Sequence, residues 1–228
     1  MHADVVAPRW HTAILVLSIV GVNAIGLIFF RGHDVLVRSG SSGSKILTAY
    51  LPAIAAEWML FAWAAFAFRP RHVLSHLMGR QWTAHRRWPI DLAWSLAIIS
   101  LIVGFELILA RFLTLPQNPA VVALLPRTIG ERVAWVLVAT SAGFCEEVVY
   151  RGYLRIELGV LMRSAPLGIA LQALLFGIAH AEQGVLVAFR FALYGLALGA
   201  LAARRESLVP CIIAHVTIDL CAGLVPHG

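Results

Sequence analysis

The sequence predicts an all-α protein: a transmembrane bundle of about seven to eight spans in a single integral membrane domain, residues 1–228. Apolar runs of membrane-spanning length follow one another with short connections. Of the 228 residues, 60% are hydrophobic and only 13% charged. Mean hydropathy is +0.83, outside the range of ordinary soluble domains. The net charge of +6 comes mostly from Arg in the connections, which suits membrane topology and anionic lipid. No basic segment is long or aromatic enough to engage nucleic acid. Cys145, Cys211 and Cys221 fall in apolar runs without C-x-x-C spacing, so neither a disulfide framework nor a zinc knuckle is expected. They are read as packing residues.

Trp10 to Phe30 is the first span, with only Asn23 strongly polar. A signal peptide would be shorter and end in a small-residue cleavage site, so this helix is expected to be retained. The Ser/Gly tract from Ser39 to Ser44 reads as a flexible connection. Ile46 to Phe68 is the second span and contains Glu57. Arg69 to Trp88 carries Arg69, Arg71, Arg80, Arg86 and Arg87 with no acidic residue. The positive-inside rule puts this connection in the cytoplasm, and the amino terminus with it. Ile90 to about Ala110 is the third span, with Glu106 inside it and Arg111 near its outer end. Pro116, Pro119 and Pro126 then interrupt an outer segment. Within it, Ala120 to Leu125 reads as a short interfacial or re-entrant piece, and the bundle has seven spans, or eight if the Pro-rich segment crosses.

Val133 to about Leu158 is the fourth helix and Ala165 to Ala181 the fifth, joined by a cytoplasmic linker at Arg163. Gly184 to Ala203 is the sixth, ending at Arg204 and Arg205 on the cytoplasmic side. Its Gly195-x-x-x-Gly199 is a pattern that lets helix backbones approach. Leu208 to Val225 is the last.

The fourth helix holds adjacent carboxylates, Glu146 and Glu147, in an apolar run. A charge near the bilayer centre costs at least ~2.5–3.5 kcal/mol, so such residues face a cavity or a partner. Glu147 has Arg151 one turn on, at i,i+4 spacing. Glu146 points about 100° away around the helix and has no such neighbour. One carboxylate is tied, and the other is left desolvated, as a general base requires. Phe176 and His180, and His215 and Asp219, form two further i,i+4 pairs. Glu146 and His180 each lie seventeen residues from Arg163, so antiparallel helices bring them to one level. Taken singly, His180 reads as a packing residue, Phe176 as core, and Glu57, Glu106 and Arg190 as structural pairs or cavity lining. Together the polar positions call for a shared solvated cavity.

Glu146-Glu147-x-x-x-Arg151, Phe176-x-x-x-His180 and His215-x-x-x-Asp219, in this order and in separate apolar segments, resemble the CPBP/Abi family of intramembrane proteases, which includes the type II CAAX prenyl endopeptidases. The resemblance covers residues 133–225, the expected catalytic core. It implies an endopeptidase that hydrolyses a peptide bond of a membrane-associated protein or peptide substrate, lipid-modified in the CAAX class. It also implies roles: Glu146 activates water with help from His180, Glu147 and Arg151 brace the site, and His215 and Asp219 stabilise the oxyanion. In the family the last position is commonly Asn. An ionised Asp219 only accepts and would repel an oxyanion, so it is either protonated or orients His215. Two chemistries stay open: a metal-free glutamate mechanism, and zinc held by Glu and His. The absence of H-E-x-x-H and the Arg beside the acids favour the first.

Two other function classes compete: a proton-coupled membrane carrier, which would also use buried Glu, His and Arg, and a non-catalytic membrane scaffold or immunity protein. Gly40-Ser41-Ser42-Gly43 matches the G-x-S-G of serine intramembrane proteases but lies outside the apolar spans with no matching His. The expected location is an integral membrane one, the plasma (inner) membrane if the source is bacterial.

Overall fold

A computed structural model describes residues 7–29, 45–67, 77–79, 88–112 and 119–225. Among these every regular element is helical: α1 (Arg9–Phe29), α2 (Ile46–Phe66), α3 (Trp88–Phe112), α4 (Pro119–Leu124), α5 (Ile129–Leu161), α6 (Ala165–Ile178), α7 (Val185–Arg205) and α8 (Val209–Leu224). The Ser/Gly tract, Pro116 and the connection residues Arg69, Arg71, Arg80, Arg86 and Arg87 lie outside the described residues.

α2, α3, α5 and α7 are each long and apolar enough to cross a membrane. α6 and α8 have 14 and 16 residues. At about 1.5 Å per residue they fall short of the ~30 Å hydrocarbon core. α4 has six residues, too few to cross a membrane by itself. Leu17, Met59, Leu107, Leu137 and Phe189 are exposed on the outside of the bundle. Such a surface is solvated by lipid, and the protein is an integral membrane protein.

Local chemistry sets the helix ends. α5 begins earlier than its apolar run suggests because Thr128 and Glu131 form a capping box. The Glu131 carboxylate accepts from the amides of Thr128 at 3.2 Å and Arg127 at 2.6 Å. Lys45 at the start of α2 adds an ion pair with Glu131 at 3.3 Å. Pro52 has no amide hydrogen to continue the ladder of α2. Its first turn, Ile46–Tyr50, is accordingly a π-helix closed by Leu51 N–H bonding to the Ile46 carbonyl. At the opposite end of the bundle, Arg205 on α7 donates to Asp91 on α3 at 2.7 and 3.0 Å.

α5 is the hub. Its middle, Glu147–Leu154, is π-helical, and all eight of these residues are buried. α2 runs alongside in parallel: Tyr50 meets Trp135 with ring centroids 5.7 Å apart, and Phe61 meets Phe144 at 5.5 Å. α1 docks on Tyr153, whose hydroxyl lies 2.8 Å from His11 Nδ1 and 2.9 Å from Thr12 Oγ1. α6 and α7 form a tight hairpin at the glycine pair, where a Cβ on Gly195 would come within 2.8 Å of Ala173 Cα. Gln172 uses that closeness to donate to the Gly195 carbonyl at 2.8 Å. α8 lies against α5 at Gly143, where a Cβ would sit 2.9 Å from the Val216 amide nitrogen.

Candidate active site

The Gly143 contact fixes the register that brings His215 to the acids of α5. His215 Nδ1 donates to Glu147 Oε1 at 2.8 Å. The opposite edge of the ring faces two more carboxylates, with Nε2 3.7 Å from Glu146 Oε2 and 3.5 Å from Asp219 Oδ2. Arg151 reaches Glu147 Oε1 from one turn on, at 3.1 Å. Both side chains of that pair are wholly buried, while Glu146 and Asp219 keep 16% and 31% exposure. The tied carboxylate is therefore the inaccessible one, and Glu146 and Asp219 are the ones a substrate can meet.

The π-helical turn is where this happens. Such insertions are rare and tend to occur at functional sites, because they re-aim side chains from an otherwise regular helix. Glu146 closes the α-helical stretch and Glu147 opens the π stretch. No periodicity in the sequence announces this change.

Arg151 is held by more than its carboxylate. Its Nη1 lacks hydrogen-bond alignment with Glu147, so the attraction is Coulombic. The guanidinium carbon lies 4.1 Å from the ring centroid of Phe176, a cation–π contact. Phe176 is buried, as a core residue would be, but it also presents its edge to His180 at 4.8 Å and meets His215 at 6.1 Å. It is the common wall of the cluster.

His180 stands beside this wall. α6 ends at Ile178, so His180 has left the helix and caps a short turn, Ala181–Gln183. Its Nδ1 donates to the Phe176 carbonyl at 2.8 Å, leaving Nε2 as the acceptor. Its ring stacks on Phe191 at 3.8 Å. Among the described residues no hydrogen bond or ion pair joins His180 to Glu146. The level matching expected from the linker assumes an uninterrupted helix, and the early end of α6 removes that assumption.

A cavity of about 630 Å³ opens from the cluster between α3, α7 and α8. His215 and Asp219 lie on one side of it, and Ile102, Phe191, Leu198 and Ile218 supply apolar wall. Arg190 and Glu106 also line it and pair with each other through two contacts, Arg190 Nε donating to Glu106 Oε1 at 2.8 Å and Nη2 to Oε2. An apolar space with a few converging polar groups is the usual form of a substrate site.

One acid escaped the motif reading. Glu57 of α2 comes within hydrogen-bonding reach of the Glu146 carboxylate, and its Oε2 is buried. Its signal in the sequence was a carboxylate inside a span, the same signal that marked Glu146. Cys145 and Cys211 are buried, and Cys211 directs its thiol to the Leu198 carbonyl at 3.4 Å. Among the described residues no three His, Cys, Asp or Glu side chains converge in the way a metal ion requires. The zinc alternative therefore finds no fitting donor set among these residues.

Residues 128–221 match the family model for the type II CAAX prenyl endopeptidases, Rce1-like. This is the family that the three motifs resemble, and the matched segment contains all of them. No curated protein and no solved structure matches the chain.

Proposed function

We propose that the protein is an intramembrane endopeptidase that hydrolyses a peptide bond by a glutamate-activated water. The observation that carries this reading is the convergence of Glu146, Glu147, Arg151, His215 and Asp219 beside an apolar cavity, within the segment that matches the endopeptidase family. Glu146 is the general base: it takes a proton from water as the oxygen attacks the scissile carbonyl, then passes it to the leaving amine. His180 offers Nε2 as a second acceptor to the same water. His215 carries protons on both nitrogens in this reading. One is bonded to Glu147, and the other is available to the oxyanion of the tetrahedral intermediate. Glu147 and Arg151 hold that imidazole in place. Asp219, 3.5 Å from Nε2, aligns the ring edge and yields to the oxyanion.

The substrate is a membrane-associated protein or peptide whose apolar part enters the cavity between α3, α7 and α8. The chain acts as a single integral membrane domain. The Arg-rich connection supports a cytoplasmic amino terminus, which puts the Asp91–Arg205 end of the bundle on the cytoplasmic side. In a bacterium the membrane would be the plasma (inner) membrane.

The test compares membrane-associated peptide termini by mass spectrometry in cells expressing the wild type or Glu146→Gln at equal levels. New termini in the wild type alone are expected. Undiminished turnover by Glu146→Gln would exclude the mechanism, and identical termini from well-folded proteins would favour a carrier or scaffold.

A further inference from the structure

We infer that Glu57, on α2 and outside the family-matched segment, is a positioning residue for Glu146: the two carboxyl groups share one proton, and Glu57 donates it as a hydrogen bond to the Glu146 carboxylate. The two groups are within hydrogen-bonding reach. The Oε2 atoms of both are closed to solvent, with no hydrogen-bond donor against them. Ionised carboxylates only accept, so two of them in contact have nothing to hold them together. In a low-dielectric site they repel, and adjacent carboxyls settle the conflict by keeping one proton between them.

The contact is built into the packing of the helices. The residue after Glu57, Trp58, donates from Nε1 to Ser141 Oγ at 3.1 Å, and its ring lies 5.9 Å from that of Phe144. These contacts clamp α2 to α5 just before Glu146. The ionisable groups around the pair are Cys145, Glu147, Tyr150 and Arg151 from α5, His215 and Asp219 from α8, and His180 beyond them. Arg151 lies between Glu147 and Phe176, and His215 donates its Nδ1 proton to Glu147 and keeps Nε2 3.7 Å from Glu146 Oε2, too far for a hydrogen bond. A shared proton is what holds the Glu57 carboxyl against that of Glu146.

This inference rests on the endopeptidase reading for its consequence. Anchored by Glu57 at one oxygen, the Glu146 carboxylate directs the other to water. Glu146 accepts the water proton as the carbon–oxygen bond forms and returns it to the amine nitrogen as the carbon–nitrogen bond breaks. Glu57 keeps its own proton throughout.

The first arm of the test needs no substrate. Infrared difference spectra of the purified full chain, in H2O and D2O at neutral pH, compare the wild type with Glu57→Gln and Glu146→Gln. We expect a protonated-carboxyl C=O band that Glu57→Gln deletes and Glu146→Gln shifts. A protonated-carboxyl region untouched by Glu57→Gln overturns the inference, whether or not the protein is a protease. In the second arm, cleavage of a membrane-tethered peptide by Glu57→Ala should fall roughly tenfold or more in kcat at unchanged KM. Glu57→Gln, whose amide donates the same hydrogen bond, should recover to within about threefold of wild type. A Gln variant as slow as the Ala variant overturns the inference, and wild type that cleaves nothing overturns the endopeptidase reading while the spectra still decide the acid pair.

Discussion

Arg151 shows how much one buried side chain carries. It neutralises Glu147 at 3.1 Å, lies over Phe176 at 4.1 Å and is wholly buried. Removing it leaves Glu147 in a dry site with the hydrogen bond from His215 but without its guanidinium, a change worth up to about 3–5 kcal/mol. Arg151→Ala should therefore lower the thermal midpoint of the detergent-solubilised protein and abolish cleavage together. Arg151→Lys keeps the charge but not the flat cation over Phe176, so it should recover most of the stability and only part of the rate. Equal rates for Arg151→Lys and wild type would remove Phe176 from the site. Glu146→Gln should behave oppositely, with stability kept and turnover lost. That contrast separates the brace from the base.

The contacts between elements turn on small residues. Gly143 lets α8 approach α5, and a methyl there would meet Val216 at 2.5 Å on its side chain and 2.9 Å on its backbone. Backbone cannot swing away, so Gly143→Ala must displace α8 and with it the 2.8 Å bond between His215 and Glu147. We expect kcat/KM to drop by about tenfold or more and the thermal midpoint to fall. Gly104 on α3 is the control, because a Cβ there meets nothing within 4 Å. Gly104→Ala should leave both measurements unchanged or raise the midpoint slightly. Equal effects of the two substitutions would show that helix propensity, not the α5–α8 contact, governs them. The Gly195-x-x-x-Gly199 pattern was legible in the sequence as a packing face, and it is one. Gly143 was not legible, because it lies in no such pattern and its partner is 73 positions away.

At the scale of the whole molecule, the family-matched segment does not make its own surroundings. α1 binds Tyr153, α2 supplies Glu57 and the Trp58 and Phe61 contacts, and α3 pairs Asp91 with Arg205 and donates from Ser95 to the Pro210 carbonyl at 3.1 Å. A fragment spanning residues 119–228 should accordingly fail to form the site. Thiol labelling reports this directly, since Cys145 is buried and Cys221 exposed. In the full chain only Cys221 should react readily with a maleimide. In the fragment Cys145 should react as well, and a Cys145 that stays protected would mean that residues 119–228 fold alone.

The sequence by itself determined the all-α class, the membrane environment, the helix positions to within a few residues, and which polar residues to watch. It could do so because apolar run length is a local property, and because a charge in an apolar run is costly unless function or a partner retains it. The capping box that starts α5 was also local and could have been read from Thr128 and Glu131. Only the tertiary structure decided the π-helical turn at Glu147–Leu154, the bond from His215 to Glu147 across 68 positions, the early end of α6 that leaves Glu146 beside His215 instead of His180, and the arrival of Glu57 from α2. Each of these depends on how closely two helices approach and at what register. That is set by side-chain packing between segments far apart in the chain, which no local pattern records.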